Sequence, residues 1–570
     1  MPSKTPLFDA ALRRFFSTIQ PGERTCAETG EKFELSAKDI ALYRDLGVPP
    51  TQIIFGARMR HQRAFLPGFD LFRRTLPDGS SVVSMYDPES PISLIGQADW
   101  HAARLQETFM QQAHAYDFDR SFFSQWKEFS LSIPRPAILN DIRNQNSEWS
   151  VYTLESKNCY GTFGGANHEN VLHSDQGLRN HDCSDISICF DLAFCYDDVS
   201  CQRCSTTHFS HSCEDCIDTV FSLGCHGCQD CFGCTNLKNK KYCFLNEQLT
   251  QEAYRAKRSA IDLSDANVVA EWKEKMKEPW SKAPRRASYR PNSEDAHGDD
   301  LRDSNDVIGV SIHDGERVHW AFGSISSRDC IDTSTCLYNE RVVNSVYITK
   351  GYEYRMCLSC NHCLDVEYSE LLEGCEHCFG CIGLINKKFC LFNKQYAEEE
   401  YWPLVDRLKT NMLTRGEYGQ FFPYDCSLFA YNTSHANTFA PVEEAEARRL
   451  GQRWYIFPDQ QTDALPIEQL PLKLKDATDE ILKNMYRCPQ TGRAFRVVKP
   501  ELEFHRAINV ALPRLHPVAR RIERMRDGFP LELWKRPCSN CGTIISTRIP
   551  ASYPAPILCD LCFARAQLDF

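Results

Sequence analysis

Twenty-two of the chain's 29 cysteines lie between Cys159 and Cys390, and every one of them falls at a position divisible by three. Cys183, Cys189, Cys195, Cys201, Cys204, Cys213, Cys216, Cys225, Cys228, Cys231, Cys234 and Cys243 form the densest run. A phase held that long requires a regular backbone that turns every third side chain to one environment. It marks a repeat architecture, which bears on every later assignment. Repeats of this kind usually serve as scaffolds and binding surfaces.

Two segments match without gaps at an offset of 147. Cys231-Phe-Gly-Cys234 to Cys243-Phe-Leu-Asn246 pairs with Cys378-Phe-Gly-Cys381 to Cys390-Leu-Phe-Asn393. In the second copy Val342, Ile348, Gly351 and Leu372 stand where the first has Cys195, Cys201, Cys204 and Cys225. A column that accepts Val, Ile and Leu in place of Cys behaves partly as packing. Within the first copy, Cys201/Cys204, Cys213/Cys216 and Cys225/Cys228 recur every 12 residues. A 12-residue coil with every third residue inward predicts stacked extended rungs about 4.8 Å apart.

Three chemistries suit these central thiols. They can be reduced, inward-packed columns. They can bind zinc across adjacent coils, with Cys213, Cys216, Cys225 and Cys228 as one ligand set. Cys225 to Cys234 and Cys375 to Cys381 are also spaced like the opening of an iron–sulfur run, although the terminal Cys-Pro is missing. Residues three apart on a straight strand are about 10 Å apart, beyond the roughly 7 Å reach of a disulfide.

The termini repeat each other at an offset of 462. Cys26-Ala-Glu-Thr-Gly30 matches Cys488-Pro-Gln-Thr-Gly492, and Leu71 to Arg74 matches Leu533 to Arg536. Only the C-terminal copy carries Cys538-x-x-Cys541 and Cys559-x-x-Cys562, the spacing of a four-thiolate zinc site. At the same offset the N-terminal copy has Leu76, Gly79, Gln97 and Trp100. Both copies are rich in arginine. Arg58, Arg60, Arg63, Arg73 and Arg74 in one, and Arg520, Arg521, Arg524, Arg526, Lys535 and Arg536 in the other, suggest a phosphate-binding surface or a solvated helix face.

Net charge is −11, which opposes general coating of nucleic acid, although residues 485–570 hold about twice as many basic as acidic residues. Mean hydropathy is −0.43, no stretch is apolar enough to span a membrane, and the start lacks a secretory run. These features predict a cytoplasmic protein with reduced thiols. The chain has no phosphate loop, nucleophile elbow or His-Glu-x-x-His pair. His168, His173, His181, His208 and His211, with Asp175 and Asp182, are expected as a polar outer face of the first repeat.

Tyr116 to Trp126, Ile133-Pro-Arg-Pro-Ala-Ile-Leu139, the paired Cys-Phe-Gly-Cys segments and Phe421-Phe-Pro-Tyr424 together resemble a group of cysteine-rich repeat proteins with zinc-ribbon-like terminal modules, predicted in candidate-phyla bacteria. The resemblance spans most of the chain and implies no established chemistry. This sequence departs from that pattern by lacking the N-terminal thiol pairs.

The expected fold class is mainly β with helical connectors: two β-solenoid (β-helix-like) repeats flanked by two zinc-ribbon-like modules. The expected divisions are an N-terminal ribbon-like module (1–105), a connector (106–150), the first repeat (151–246), a helical arm and mobile linker (247–305), the second repeat (306–393), a second arm (394–484) and a zinc ribbon (485–570). The expected function is a non-enzymatic, zinc-containing scaffold that binds a macromolecular partner, with no membrane and no small-molecule substrate. An RNA- or ribosome-binding protein and an iron–sulfur or thiol redox protein are the alternatives.

Overall fold

The computed structural model describes residues 3–175, 177–187, 196–199, 208–211, 217–288, 294–301, 305–312, 315–318, 321–322, 327–331, 333–334, 340–348, 351–458, 463–527 and 534–568. Among these, 13 α-helices account for 32 % of the structure against 23 % strand, and the sheets hold only two to five strands. The mainly-β, two-solenoid class is therefore overturned. The molecule is mixed α/β, because helices enter the core beside every group of strands. Cys189, Cys195, Cys201, Cys204, Cys213, Cys216 and Cys336 lie outside the described residues.

What the cysteine phase encodes is local. Short parallel strands pair at a shift of 12 residues: Cys231 with Cys243, Tyr354 with Val366, Cys378 with Cys390. The residue two places after each position divisible by three has φ near +50°. Asn158, Asn170, Asp182, Asp218, Asp230, Asn239, His362, Asp365, His377 and Asn386 are examples. This left-handed conformation favours Gly, Asn, Asp and His. A straight strand would keep residues three apart in line; a left-handed residue in every triplet bends the chain instead.

Bending keeps one side chain per triplet inside. Val342, Cys357, Cys360, Cys363, Val366, Leu372, Cys375, Cys378, Cys381, Leu384 and Cys390 form one buried cluster, and Cys225, Cys228, Cys231, Cys234 and Cys243 join Leu237 in another. The space admits a small side chain, and the backbone carbonyls there accept a weak donor. Cys357 Sγ donates to the carbonyls of Arg355 and Val366 at 3.4 and 3.2 Å. Ser369 fills the same column and accepts from the Cys381 amide at 3.0 Å. Ser and Cys are interchangeable there because each brings one hydrogen-bonding atom and little volume.

Outside, the left-handed asparagines bond from rung to rung: Asn146 to Asn158 (3.1 Å), Asn158 to Asn170 (2.9 Å) and Asn170 to Asp182 (2.8 Å). Both stacks end alike. Asn393 accepts from the Ile382 amide at 2.8 Å and donates to its carbonyl at 2.9 Å, as Asn246 does with Thr235 at 2.8 and 3.0 Å. The amide side chain thus replaces the next rung's peptide. Glu247–Gln248 and Lys394–Gln395 then fold back antiparallel on Lys241–Phe244 and Lys388–Leu391, covering the edge.

Helices bury the outer faces. In Ala266–Lys282, Trp272 meets Phe232 edge-on at 4.7 Å. Pro6–Thr18 packs Phe8, Leu12 and Phe16 against Glu398–Thr414, and the Asp406 carboxylate caps its first turn by accepting from the Leu7 and Phe8 amides at 3.0 and 2.7 Å. Residues 280–305, expected as a mobile linker, contain Arg285–Arg286, paired in parallel with Ile557–Leu558, and Glu294–Leu301, paired with Asn305–Ile312.

The terminal modules dock through buried charge. Arg520 and Arg524 of helix Pro517–Asp527 both reach Asp185, at 2.7 and 2.8 Å, and Arg520 also reaches Glu501 at 2.8 Å. Burial alone would raise the Asp185 carboxyl; the two guanidinium groups hold it well below the usual carboxylate range.

Two predictions follow from the packing. Cys381→Ser leaves stability within about 1 kcal/mol, whereas Cys381→Leu overfills the column and costs about 1–3 kcal/mol; urea unfolding of the two variants measures this. Burial also holds His61, His168 and His505 neutral, each with a pKa lowered to about 4. A folded pKa below the unfolded value of about 6.5 means stability is full above that pH and is lost as pH falls towards 4. Denaturant midpoints at pH 7, 6, 5 and 4 are expected to decline steadily, and a flat profile to pH 4 rejects this account.

Candidate metal centre

The C-terminal site starts from a hairpin. Trp534–Pro537 pairs antiparallel with Ile544–Thr547, so the intervening residues must reverse the chain. Cys538 donates its amide to the Thr543 carbonyl at 2.8 Å, and Gly542 donates to the Cys538 carbonyl at 3.0 Å. Gly542 sits at φ +76° with open space around a would-be Cβ, so conformation alone calls for glycine. Ser539 stitches this turn to Ile557, donating its amide to the Ile557 carbonyl (2.9 Å) and accepting the Ile557 amide on its hydroxyl (3.0 Å). Cys559 immediately precedes helix Asp560–Leu568, and Cys562 lies in its first turn.

The four sulfurs come within 4.8 Å of one another, and Cys541 and Cys559 are 3.7 Å apart. Tetrahedral thiolates at about 2.3 Å from zinc are separated by about 3.8 Å. Amides face the buried sulfurs: Cys559 donates to Cys538 Sγ at 3.3 Å, and the Asn540 side chain donates to Cys562 Sγ at 3.3 Å. Burial raises the Cys538 thiol, but the amides of Cys541, Cys559 and Asn540 bring it down to about 6. These thiols can hold a metal ion, and no other group of three or more potential ligands converges among the described residues.

The same turn occurs in both terminal regions. Cys26 closes its turn in the same pattern: its amide donates to the Glu31 carbonyl at 2.7 Å, and Gly30 donates to the Cys26 carbonyl at 3.0 Å. Cys488 repeats this with Arg493 and Gly492 at 2.8 and 2.9 Å. Cys26 Sγ receives the Ile54 amide at 3.4 Å, and the His516 amide faces Cys488. Ile54 and His516 immediately precede helices Phe55–Arg63 and Pro517–Asp527, where Cys559 precedes its own helix. The ligand columns are therefore Cys26, Thr29, Ile54 and Ala57 in one unit, and Cys488, Thr491, His516 and Ala519 in another.

The fourth unit corrects the alignment by one residue. Leu76 donates to Ser80 and Gly79 to Leu76, both at 2.9 Å, which makes this turn one residue shorter than Cys538–Thr543. Beyond the turn, Ser81–Ser84, Leu94–Ile95 and Gln97–Leu105 match Ile544–Thr547, Ile557–Leu558 and Asp560–Leu568 at an offset of 463. Gly96 and Asp99, not Gln97 and Trp100, occupy the positions of Cys559 and Cys562.

The other expected ligands stand apart. Cys213 and Cys216 lie outside the described residues. Cys225 and Cys228 are fully buried, and their sulfurs donate to the carbonyls of Leu223 and His226 at 3.8 and 3.4 Å. Cys375, Cys378 and Cys381 donate likewise to Glu373, Glu376 and Phe379 at 3.5, 3.4 and 3.4 Å. No disulfide joins the cysteines among the described residues. Burial pushes Cys360 and Cys378 well up, which keeps them protonated at neutral pH.

Most of the expected arginine surface is interior. Arg63, Arg520, Arg521 and Arg524 are at most 7 % exposed. Arg63 lies over Phe439 at 4.1 Å, and Arg521 pairs with Asp175 at 2.7 Å. Arg60 pairs with Glu28, Arg74 donates to the Asp87 carbonyl, and Arg58 donates to the Ile53 carbonyl. Arg536 donates to the Pro550 carbonyl at 3.2 Å. Only Arg73 and Lys535 are exposed, and the Arg526 side chain lies outside the described residues. The helix that a bare charge run would place in solvent packs instead on strand His181–Ser187, where Asp185 awaits it. His168, His173 and His208 are likewise buried rather than on a polar outer face.

If the turn containing Cys488 is a metal knuckle lacking two ligands, then Thr491→Cys with Ala519→Cys completes a three-sulfur, one-histidine set. The double variant is expected to bind one more equivalent of zinc than the parent, measured by elemental analysis after gel filtration; an unchanged metal content rejects the equivalence.

No helix among the described residues is long and apolar enough to cross a membrane. No protein family, curated protein or solved structure matches the chain.

Proposed function

We propose that the protein is a non-enzymatic scaffold whose C-terminal module is locked by one structural zinc ion. The observation that carries this reading is the closed set of four convergent thiols. A four-thiolate site leaves no open coordination position for substrate or water, so its role is to hold the fold. Zinc suits four sulfurs, two with amide donors, better than harder metals do.

The module needs such a lock. Among the described residues its buried core is two small clusters, Cys538, Leu558, Cys562 and Phe563 in one and Ala287, Ile549 and Ile557 in the other, and two of these seven residues are ligands. So little apolar burial does not hold about 35 residues folded. Binding free energy in small metal modules is folding free energy. The module also supplies strand Ile557–Leu558 to Arg285–Arg286, at the entry to the second set of rungs. Metal loss would therefore release a contact remote in sequence. The reduced thiols of the rungs fit a reducing compartment such as the cytoplasm, and the partner expected on this scaffold is a macromolecule.

The purified full chain is expected to carry one zinc and no iron. Cys538→Ser with Cys541→Ser abolishes zinc binding and raises amide exchange in residues 534–568 and 285–286, while Cys375 to Cys390 stay protected. Iron in the purified protein, or unchanged exchange in the metal-free variant, overturns this reading.

A further inference from the structure

An open cavity of about 550 Å³ lies where the N-terminal module, the first set of rungs and the C-terminal module meet. Its walls are aromatic. Phe72, Tyr455 and Phe457 form one group, with Tyr455 at 5.5 Å from Phe72 and 5.0 Å from Phe457. Trp149 and Tyr160 form a second, 6.1 Å apart. A cavity of this size lies within the range that takes a small organic ligand, roughly 300–1,000 Å³.

Its charge is cationic. Arg493, Arg496 and Arg521 line it, against Asp70 as the one lining acid among the described residues. Asp70 holds Arg493 at 2.6 Å, and Arg521 is held by Asp175. Arg496 is exposed and makes no hydrogen bond or ion pair among the described residues. Beside the cavity, exposed Arg73 lies over the Trp149 ring at 5.2 Å and has no acid partner among the described residues. The lining histidines, His173 and His516, are held neutral by burial and nearby arginines.

His173 lines the cavity but is only 4 % exposed, and its Nε2 lies 3.6 Å from a Glu501 oxygen.

We propose that this cavity binds a nucleoside 5′-phosphate, with the base stacked on the aromatic walls and the phosphate held by Arg496 and Arg73. Aromatic rings stack any base, and guanidinium groups match phosphate oxygens in planar, bidentate geometry. The net charge of −11 disfavours a long polyanion spread over the surface but not one phosphate in a local basic site. The same moiety exists as a free nucleotide and as one residue of single-stranded RNA.

The zinc-loaded full chain is titrated calorimetrically with the four ribonucleoside monophosphates, with an eight-nucleotide single-stranded RNA and with inorganic phosphate. At least one nucleotide is expected to bind at submillimolar concentration and more tightly than phosphate. Arg496→Ala and Phe457→Ala are each expected to weaken it by roughly tenfold, with melting temperatures checked in parallel. Arg496 is exposed and unpaired, so its variant tests binding without threatening the fold. RNA binding at least tenfold tighter than the monophosphate, with the same sensitivity to Arg496→Ala, identifies the strand as the source; equal or weaker RNA binding identifies the free nucleotide. Absence of binding by nucleotide and RNA at millimolar concentration, or affinity unchanged in both variants, overturns the proposal.

Discussion

The architecture depends on one backbone event repeated every third residue: a left-handed φ that turns the chain between one inward side chain and the next. For a residue other than glycine that conformation costs about 1–2 kcal/mol. It persists because the next rung recovers the cost in two ways. Asparagines at these sites bond to their counterparts 12 residues on, as Asn158 does to Asn170. Bulky residues at the same sites, such as Tyr368 and Phe392, turn outward into the large core shared with the N-terminal helix and are at most 1 % exposed. Inward volume is limited by the bend, so the inner columns take mostly Cys, Ser, Thr and Val, with leucine at Leu237, Leu372 and Leu384, and the thiols there bond to backbone carbonyls.

This explains how so many thiols sit side by side in the rungs without a disulfide among the described residues. Each inward sulfur is engaged by its own backbone, two residues back and often nine ahead, as Cys360 is with Leu358 and Ser369. Burial raises the Cys360 and Cys378 thiols and favours their protonated form, the wrong state for coordination. The C-terminal set differs in one physical respect. Its sulfurs converge on each other at a turn and a helix start, where amides point at them and lower the Cys538 thiol to about 6. Cysteine spacing alone does not separate these two environments; backbone direction does.

That distinction marks how far the sequence is legible. The phase of three, the offset of 147 and the four-thiol signature are all visible in the residues, since each depends on side chains recurring at fixed intervals. The left-handed residue in each triplet was foreshadowed by Asn, Asp and Gly two places after each inward position, a signal weakened wherever Tyr, Phe or Leu took the site. The class was misjudged because the helices that fill the outer cores show no strict repeat. The fate of Arg520 and Arg524 was illegible for another reason: Asp185, their partner, lies more than 300 residues away in the chain, and a charge run looks the same whether water or a carboxylate faces it. The shift from 462 to 463 arises in a single turn, Leu76–Ser80, where one residue fewer still closes the hairpin.

The four knuckle units show what a metal contributes when packing is removed by degrees. In the unit around Cys26, Leu35, Ile40 and Tyr43 enter the largest core among the described residues. The unit around Cys488 belongs to a cluster with Leu470, Tyr486, Phe495 and Leu512. The unit around Leu76 packs with Phe69, Tyr86 and Phe429. Each has lost ligands and kept its turn, because apolar neighbours from elsewhere in the chain hold the hairpin against its helix. The unit around Cys538 has less: two ligands with Leu558 and Phe563, flanked by a small cluster of Ala287, Ile549 and Ile557. Four thiols are present where the surrounding core is thinnest, and absent where burial already does the same mechanical task.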